Sequence, residues 1–146
     1  DALLRCGVGL SGVNLEISVG YGIKGSAPRD LLDLSRLLDQ WSMLEIPLNV
    51  TLAFPSCCDA DPHAADDVSV AENCWRSPWS TQSQSDWIDS VIPLLMAKQS
   101  VVGIYWSHLT DASRHVFPNA GLIDAAGNPK SSFQSILDQR TGKWLQ

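Results

Sequence analysis

Three short apolar runs, at residues 13–19, 47–54 and 101–107, each lead into a stretch patterned for a helix, and this alternation limits the folds open to the chain. Val13 to Val19 alternates strictly: Leu15, Ile17 and Val19 share one face, and Asn14, Glu16 and Ser18 share the other. Pro47 to Phe54 reads as a second strand, stopped by Pro55. Val101 to residue 107 reads as a third, β-branched at its start and closing on Trp106. Strands that alternate with helices imply a parallel sheet with right-handed crossovers, since each connection must return the chain to the starting end of the sheet. The expected fold class is α/β.

The helical patterns fill the gaps. Leu31, Leu34, Leu38 and Trp41 recur at helical spacing, in a helix expected to open with Pro28 at its first position and to close near Glu45, before Pro47. Residues 80–99 form the next, with Trp87, Val91, Leu94 and Leu95 inward and a kink expected at Pro93. A last helix spans about Pro129 to Arg140, burying Phe133, Ile136 and Leu137, and Trp144 beyond it is a candidate to dock. Residues 2–6 read as the tail of a helix closed by Gly7 or Gly9. Between the second strand and its helix runs a loop at 56–80, rich in Asp, Pro and Ser and carrying Trp75, Arg76 and Trp79. A loop of that length is functional or partly disordered.

Composition narrows the partners. A hydrophobic content of 45% over 146 residues supports a packed core. A formal net charge of -6 argues against nucleic acid and against an anionic membrane surface. No apolar run approaches the roughly 18 residues of a membrane span. The chain opens on Asp1 in mid-pattern, as expected of a piece of a longer protein.

Four cysteines leave the compartment open. Cys57 or Cys58 paired with Cys74 in a disulfide, metal ligation with Asp59, Asp61 and His63, and free thiols are all compatible with the spacing, although no CxxC pair marks a zinc site. Gly20, Gly22 and Gly25 match the letters of a dinucleotide fingerprint. Ser26, Ala27 and Pro28 then separate the last glycine from the helix, and Pro28 removes an amide from the phosphate position. No cofactor and no resident metal are expected.

The last third of the chain carries a resemblance. Val101-Val-Gly-Ile-Tyr-Trp106, Asp111, Gly121-Leu-Ile-Asp124 and Gly127-Asn-Pro-Lys130 run from an apolar strand ending in Trp to an acid, a tight turn and a final helix. This resembles the closing pattern of glycoside hydrolase family 10, the xylanases, and Leu48-Asn-Val-Thr51 resembles the family's seventh strand. The resemblance implies three parallel βα units forming the C-terminal part of a TIM (β/α)8 barrel, with residues 1–146 as one partial-barrel domain. Three strands alone do not close a barrel of eight. It also implies a polysaccharide or oligosaccharide partner of xylan or glucan type, while the exposed strand edge at Val13 to Val19 points to the missing half-barrel or a second copy of the chain as protein partner.

One departure decides the activity implied. Where the family's seventh strand ends Thr-Glu and supplies the nucleophile, Thr51 is followed by Leu52, and the strand that carries the family's acid/base Glu has no counterpart here. Retaining hydrolysis needs two carboxylates about 5 Å apart. The expectation is a binding rather than a cutting module, or a structural module that pairs with the missing half-barrel. No catalytic residue is assigned; Glu16, turned inward if a barrel closes, is the one weak candidate for a displaced acid or base. Trp106 is the expected stacking platform, with His108 and Asp111 beside it, Tyr21 at the family's sixth-strand His position, and Trp75 and Trp79 as further subsites. The bland alternatives are a core Trp, a satisfied polar pair and anchors for the loop.

Overall fold

The three runs do become strands. A computed structural model describes residues 6–7, 9–22, 25, 29–72 and 75–142. Strands β1 (Val13–Ser18), β2 (Leu48–Ala53) and β3 (Val101–Trp106) lie parallel in one sheet in the order β1-β2-β3. Helices α1 (Leu31–Ser42) and α2 (Thr81–Met96) make the crossovers, and α3 (Ser131–Thr141) follows the last strand. Among the described residues the sheet is open at both ends, with β1 and β3 as its edges.

Each helix starts where its chemistry allows. Helix α1 begins at Leu31, because the Asp30 carboxylate accepts the Asp33 amide at 2.7 Å and so satisfies an orphan donor of the first turn. The start expected at Pro28 is corrected by that cap; Pro28 itself lies outside the described residues, as do residues 2–5 and Trp144. In α2, Ser80 and Ser83 cap each other reciprocally. The helix does not break at Pro93 but runs on to Met96. Pro93 falls in its last turn, where a missing N–H deprives only the Asp89 carbonyl of its partner. Helix α3 closes on Gly142, whose φ of 71° is the left-handed cap that favours glycine.

All three helices bear on one side of the sheet. Val50 and Leu52 of β2, and Phe54 just beyond it, are fully buried against Leu38 of α1 and Ile88, Val91 and Leu95 of α2. Phe54 stacks on Trp87 at 5.0 Å and meets the edges of Trp75 and Trp79 at 5.9 and 5.1 Å. The loop at 56–80 is packed rather than loose where it is described: Ala71 N–H donates to Gly20 O at 2.8 Å, and the Trp79 indole donates to Ala71 O at 2.8 Å.

Among the described residues, no helix lies on the opposite face of the sheet. Glu16, Thr51 and Tyr105 stand in one cross-strand row there, and Asn14, Asn49 and Gly103 in the next. Register slips by one residue in β3, leaving Val102 unpaired and exposed.

Candidate functional site

Beyond the C-terminal ends of β2 and β3 lies a buried polar network centred on Asp111. Its Oδ2 accepts Lys130 Nζ at 2.6 Å, and its Oδ1 accepts the Gly121 amide at 2.7 Å and faces His108 Nε2 at 3.1 Å. Lys130 also donates to Ser56 Oγ at 2.8 Å, which ties the end of β2 to the loop after β3. Burial pushes the Asp111 carboxyl up. The His108 and Lys130 hydrogen bonds, the Lys130 charge and the Gly121 amide more than reverse this, holding it at about 2.

A second pair lies beside the first. His115 Nε2 contacts Asp61 Oδ2 at 2.9 Å, its Nδ1 lies 2.7 Å from Ser113 O, and its ring stacks on His108 with centroids 4.1 Å apart. Burial raises the Asp61 carboxyl, but the Asn119 and His63 amides and His115 outweigh it, and the net shift is downward. Tyr21 donates to Pro118 O at 3.1 Å; burial, then the negative charges of Asp111 and Asp61, push its phenol well above the ordinary range.

One atom each of His108, Asp111 and His115 falls within 4.8 Å of the others, close enough to share a cation. The surroundings do not fit one. Lys130 already places an ammonium on Asp111, and both His115 ring nitrogens are occupied by Ser113 and Asp61. Cys57 and Cys58 are free thiols and Cys74 lies outside the described residues, so the disulfide reading has no described partner.

The residues expected to hold a sugar are mostly drawn into the protein. Trp106 is half-buried on the helix side of the sheet, edge-on to Trp87 at 6.2 Å, and donates to Ala120 O at 2.7 Å. Trp75 and Trp79 are core residues packed on Phe54, with exposures of 8% and 9%, not free surfaces on an open loop. Tyr21 and Asp111 are buried, and the His108 side chain keeps 14% exposure. Glu16 is exposed, not enclosed, and accepts from Ser18 Oγ at 3.3 Å.

Position 52 also takes a different place from the one the resemblance assigned. Leu52 points into the helix-side core at 0% exposure, so no side chain there reaches the open face. The β2 residues on the other face are Asn49 and Thr51, which are half-buried, and Ala53, which is buried with Tyr21, Val68, Phe117 and Ala120; none is ionisable. Among the three strands Glu16 is the one carboxylate, and a two-carboxylate hydrolytic pair has no second member there.

Comparison with known proteins bears on the fold. The chain is similar in fold to glycoside hydrolases. It superposes on xylanase 10B from Thermotoga petrophila RKU-1, solved with xylobiose, at a TM-score of 0.65 and 16% identity, covering 97% of this chain and 39% of that one. A β-glucuronidase from Faecalibacterium prausnitzii gives 0.64 at 15% identity, covering 92% and 22%. An endo-1,4-β-xylanase from Caldicellulosiruptor owensensis gives 0.56 at 13%, covering 94% and 41%. The chain thus spans about two fifths of the xylanases it matches. No protein-family model and no curated protein matches it.

Sequence reasoning missed several members of the polar network. Gln84 is wholly buried and donates to Phe54 O at 2.7 Å and Ala120 O at 3.2 Å while accepting from Ser132 Oγ at 2.6 Å. Its signal was present: it shares the helical stripe of Ile88 and Val91, where a polar residue must find partners. Asp61 and His115 carried no such signal, because their meeting depends on two loops 54 residues apart in sequence.

Proposed function

We propose that this chain is a glycoside-hydrolase-like barrel fragment that, with its three-stranded sheet left open and no further strands closing it, binds a polysaccharide of xylan or glucan type without cutting it. The observation that carries this is the open face of a parallel sheet in a chain similar in fold to xylanases. That face bears Asn14, Glu16, Asn49, Thr51 and Tyr105, hydrogen-bonding groups and an exposed aromatic, but only one carboxylate. Such a face can hold sugar hydroxyls, yet it cannot supply both a nucleophile and a proton donor. The test is migration of the protein through a gel containing soluble xylan, run beside a reducing-sugar assay on the same polymer. Retardation without release of reducing ends supports the reading. Unretarded migration, or steady release of sugar, would refute it.

A second reading rests on the sheet edges. A groove of about 400 Å³ runs along the free edge of β1, lined by Leu15, Ile17, Leu34, Leu37 and Trp41. Another of about 300 Å³ flanks β3, lined by Ile92, Ile104, Leu122 and Ile136. Free parallel edges beside apolar grooves suit further strands, supplied by the remaining half of a barrel or by a second copy of the chain. Light scattering across a concentration series checks the second copy: a constant monomer mass would eliminate it.

A further inference from the structure

Among the residues of the open face, Tyr105 and Asn49 stand out because neither spends a side-chain polar atom on another described residue. Tyr105 is 56% exposed, at the β3 end of a cross-strand row and not at a loop tip. Its ring lies down along its own strand over Gly103: a Cβ built on Gly103 would come within 2.8 Å of Tyr105 Cε2, 3.0 Å of its hydroxyl and 2.5 Å of Asn49 Oδ1. The glycine therefore makes the place in which the ring rests, and Asn49 Oδ1 and the phenol converge above it. In that place Tyr105 keeps 56% exposure, which leaves ring surface for a ligand.

From this geometry we infer that Tyr105, Asn49 and Glu16 form a subsite for a neutral pyranose of the bound polysaccharide, which discriminates against uronic acids. The inference rests on the carbohydrate-binding reading and gives it a place and a selectivity. Three features argue for it. The CH face of a pyranose suits the free face of a phenol ring, and an unpartnered amide with both donors and an acceptor suits vicinal hydroxyls. Thr51 bridges the row, in register with both Glu16 and Tyr105, and donates to Asn14 Oδ1 at 3.1 Å, which orders the second amide of the face.

The selectivity comes from charge. None of the three strands contains a Lys or Arg, and Glu16 contributes a negative charge in the same row as Tyr105. The two lysines among the described residues are committed elsewhere, Lys130 to Asp111 and Lys98 to Asp39. Arg29 and Arg140 line the two grooves at the sheet edges. Among the described residues, the strands of this face offer a sugar carboxylate no cation and one like charge.

Calorimetric titration with xylohexaose and with trigalacturonic acid tests this, on the unaltered chain and on Tyr105→Ala, Gly103→Ala, Asn49→Ala and Glu16→Gln. Gly103→Ala is the sharpest variant, since its methyl displaces only the ends of two flexible side chains and leaves the backbone in place. The expected result is xylohexaose binding at least about tenfold tighter than trigalacturonate binding. Tyr105→Ala and Gly103→Ala should each weaken xylohexaose about tenfold at unchanged melting temperature, a factor worth about 1.4 kcal/mol. Glu16→Gln should narrow the gap between the two sugars. Undiminished binding by Tyr105→Ala and Gly103→Ala would overturn the subsite while the carbohydrate reading stands. Equal affinity for the two sugars would overturn the selectivity alone. Binding of neither sugar by the unaltered chain would overturn the carbohydrate reading and this inference with it.

Discussion

Replacing Lys130 by Met probes the polar network at its most exposed weakness, a buried carboxylate that depends on one ammonium. Both side chains keep only 7% of their exposure, and Nζ lies 2.6 Å from Asp111 Oδ2. Met matches the length of the stem, so the variant removes the charge and the donors and little else. Stranding one member of a buried ion pair costs about 3–5 kcal/mol. Against a total stability of about 5–15 kcal/mol, that is a large share. With a urea m-value of about 1–3 kcal/mol per molar, the midpoint should fall by roughly 2 M at pH 7.

The pH dependence gives the same experiment a second readout. Asp111 sits at about 2 in the folded chain against an ordinary 3.8. A depressed folded value means stabilisation that is fully present above about pH 4 and is lost as pH falls toward 2, about 2 kcal/mol in all. Lys130→Met should lose less over that interval, because its Asp111 no longer favours the charged form as strongly. Adding Asp111→Asn to Lys130→Met should recover part of the loss by removing the stranded charge. Urea denaturation followed by tryptophan fluorescence at pH 7 and pH 3 measures all of this. A Lys130→Met midpoint within about 1 kcal/mol of the unaltered chain would refute the argument that the ammonium holds the strand ends together.

Other expectations follow from burial and register. Phe54→Ala removes a ring packed on three tryptophans at 0% exposure and should cost about 3–5 kcal/mol in the same denaturation assay. Leu52→Glu places a charge in the helix-side core and should abolish the cooperative transition, whereas Thr51→Glu, on the open face, should keep a folded circular dichroism spectrum. Ser80→Ala should lower stability by about 1 kcal/mol through loss of the α2 cap, read from the thermal midpoint.

The strands and helices were legible because periodicity is a local signal. The alternation of Leu15, Ile17 and Val19 and the stripe of Leu34 and Leu38 each state which face is buried, and each does face the core. The start of α1 was misread because two local signals competed, Pro28 and the acceptor on Asp30, and the observed cap is Asp30. The candidate site was less legible. Trp75 and Trp79 look like loop aromatics in sequence, but the chain folds that loop back onto Phe54, which no spacing rule reveals. The family pattern pointed to position 52, while the pleat alternates faces residue by residue, and only the observed register turns Leu52 to the helices and Thr51 to the open side. Tyr105 escaped notice for a related reason: within an apolar run it reads as core, and its exposure depends on there being no helix over that face.

Amide chemical-shift mapping with xylohexaose tests the central claim most directly. The account predicts saturable shifts concentrated on the open face, at Asn14, Glu16, Asn49, Thr51, Gly103 and Tyr105, with little change along α1 and α2. No saturable shift, or shifts confined to the helix side, would contradict it.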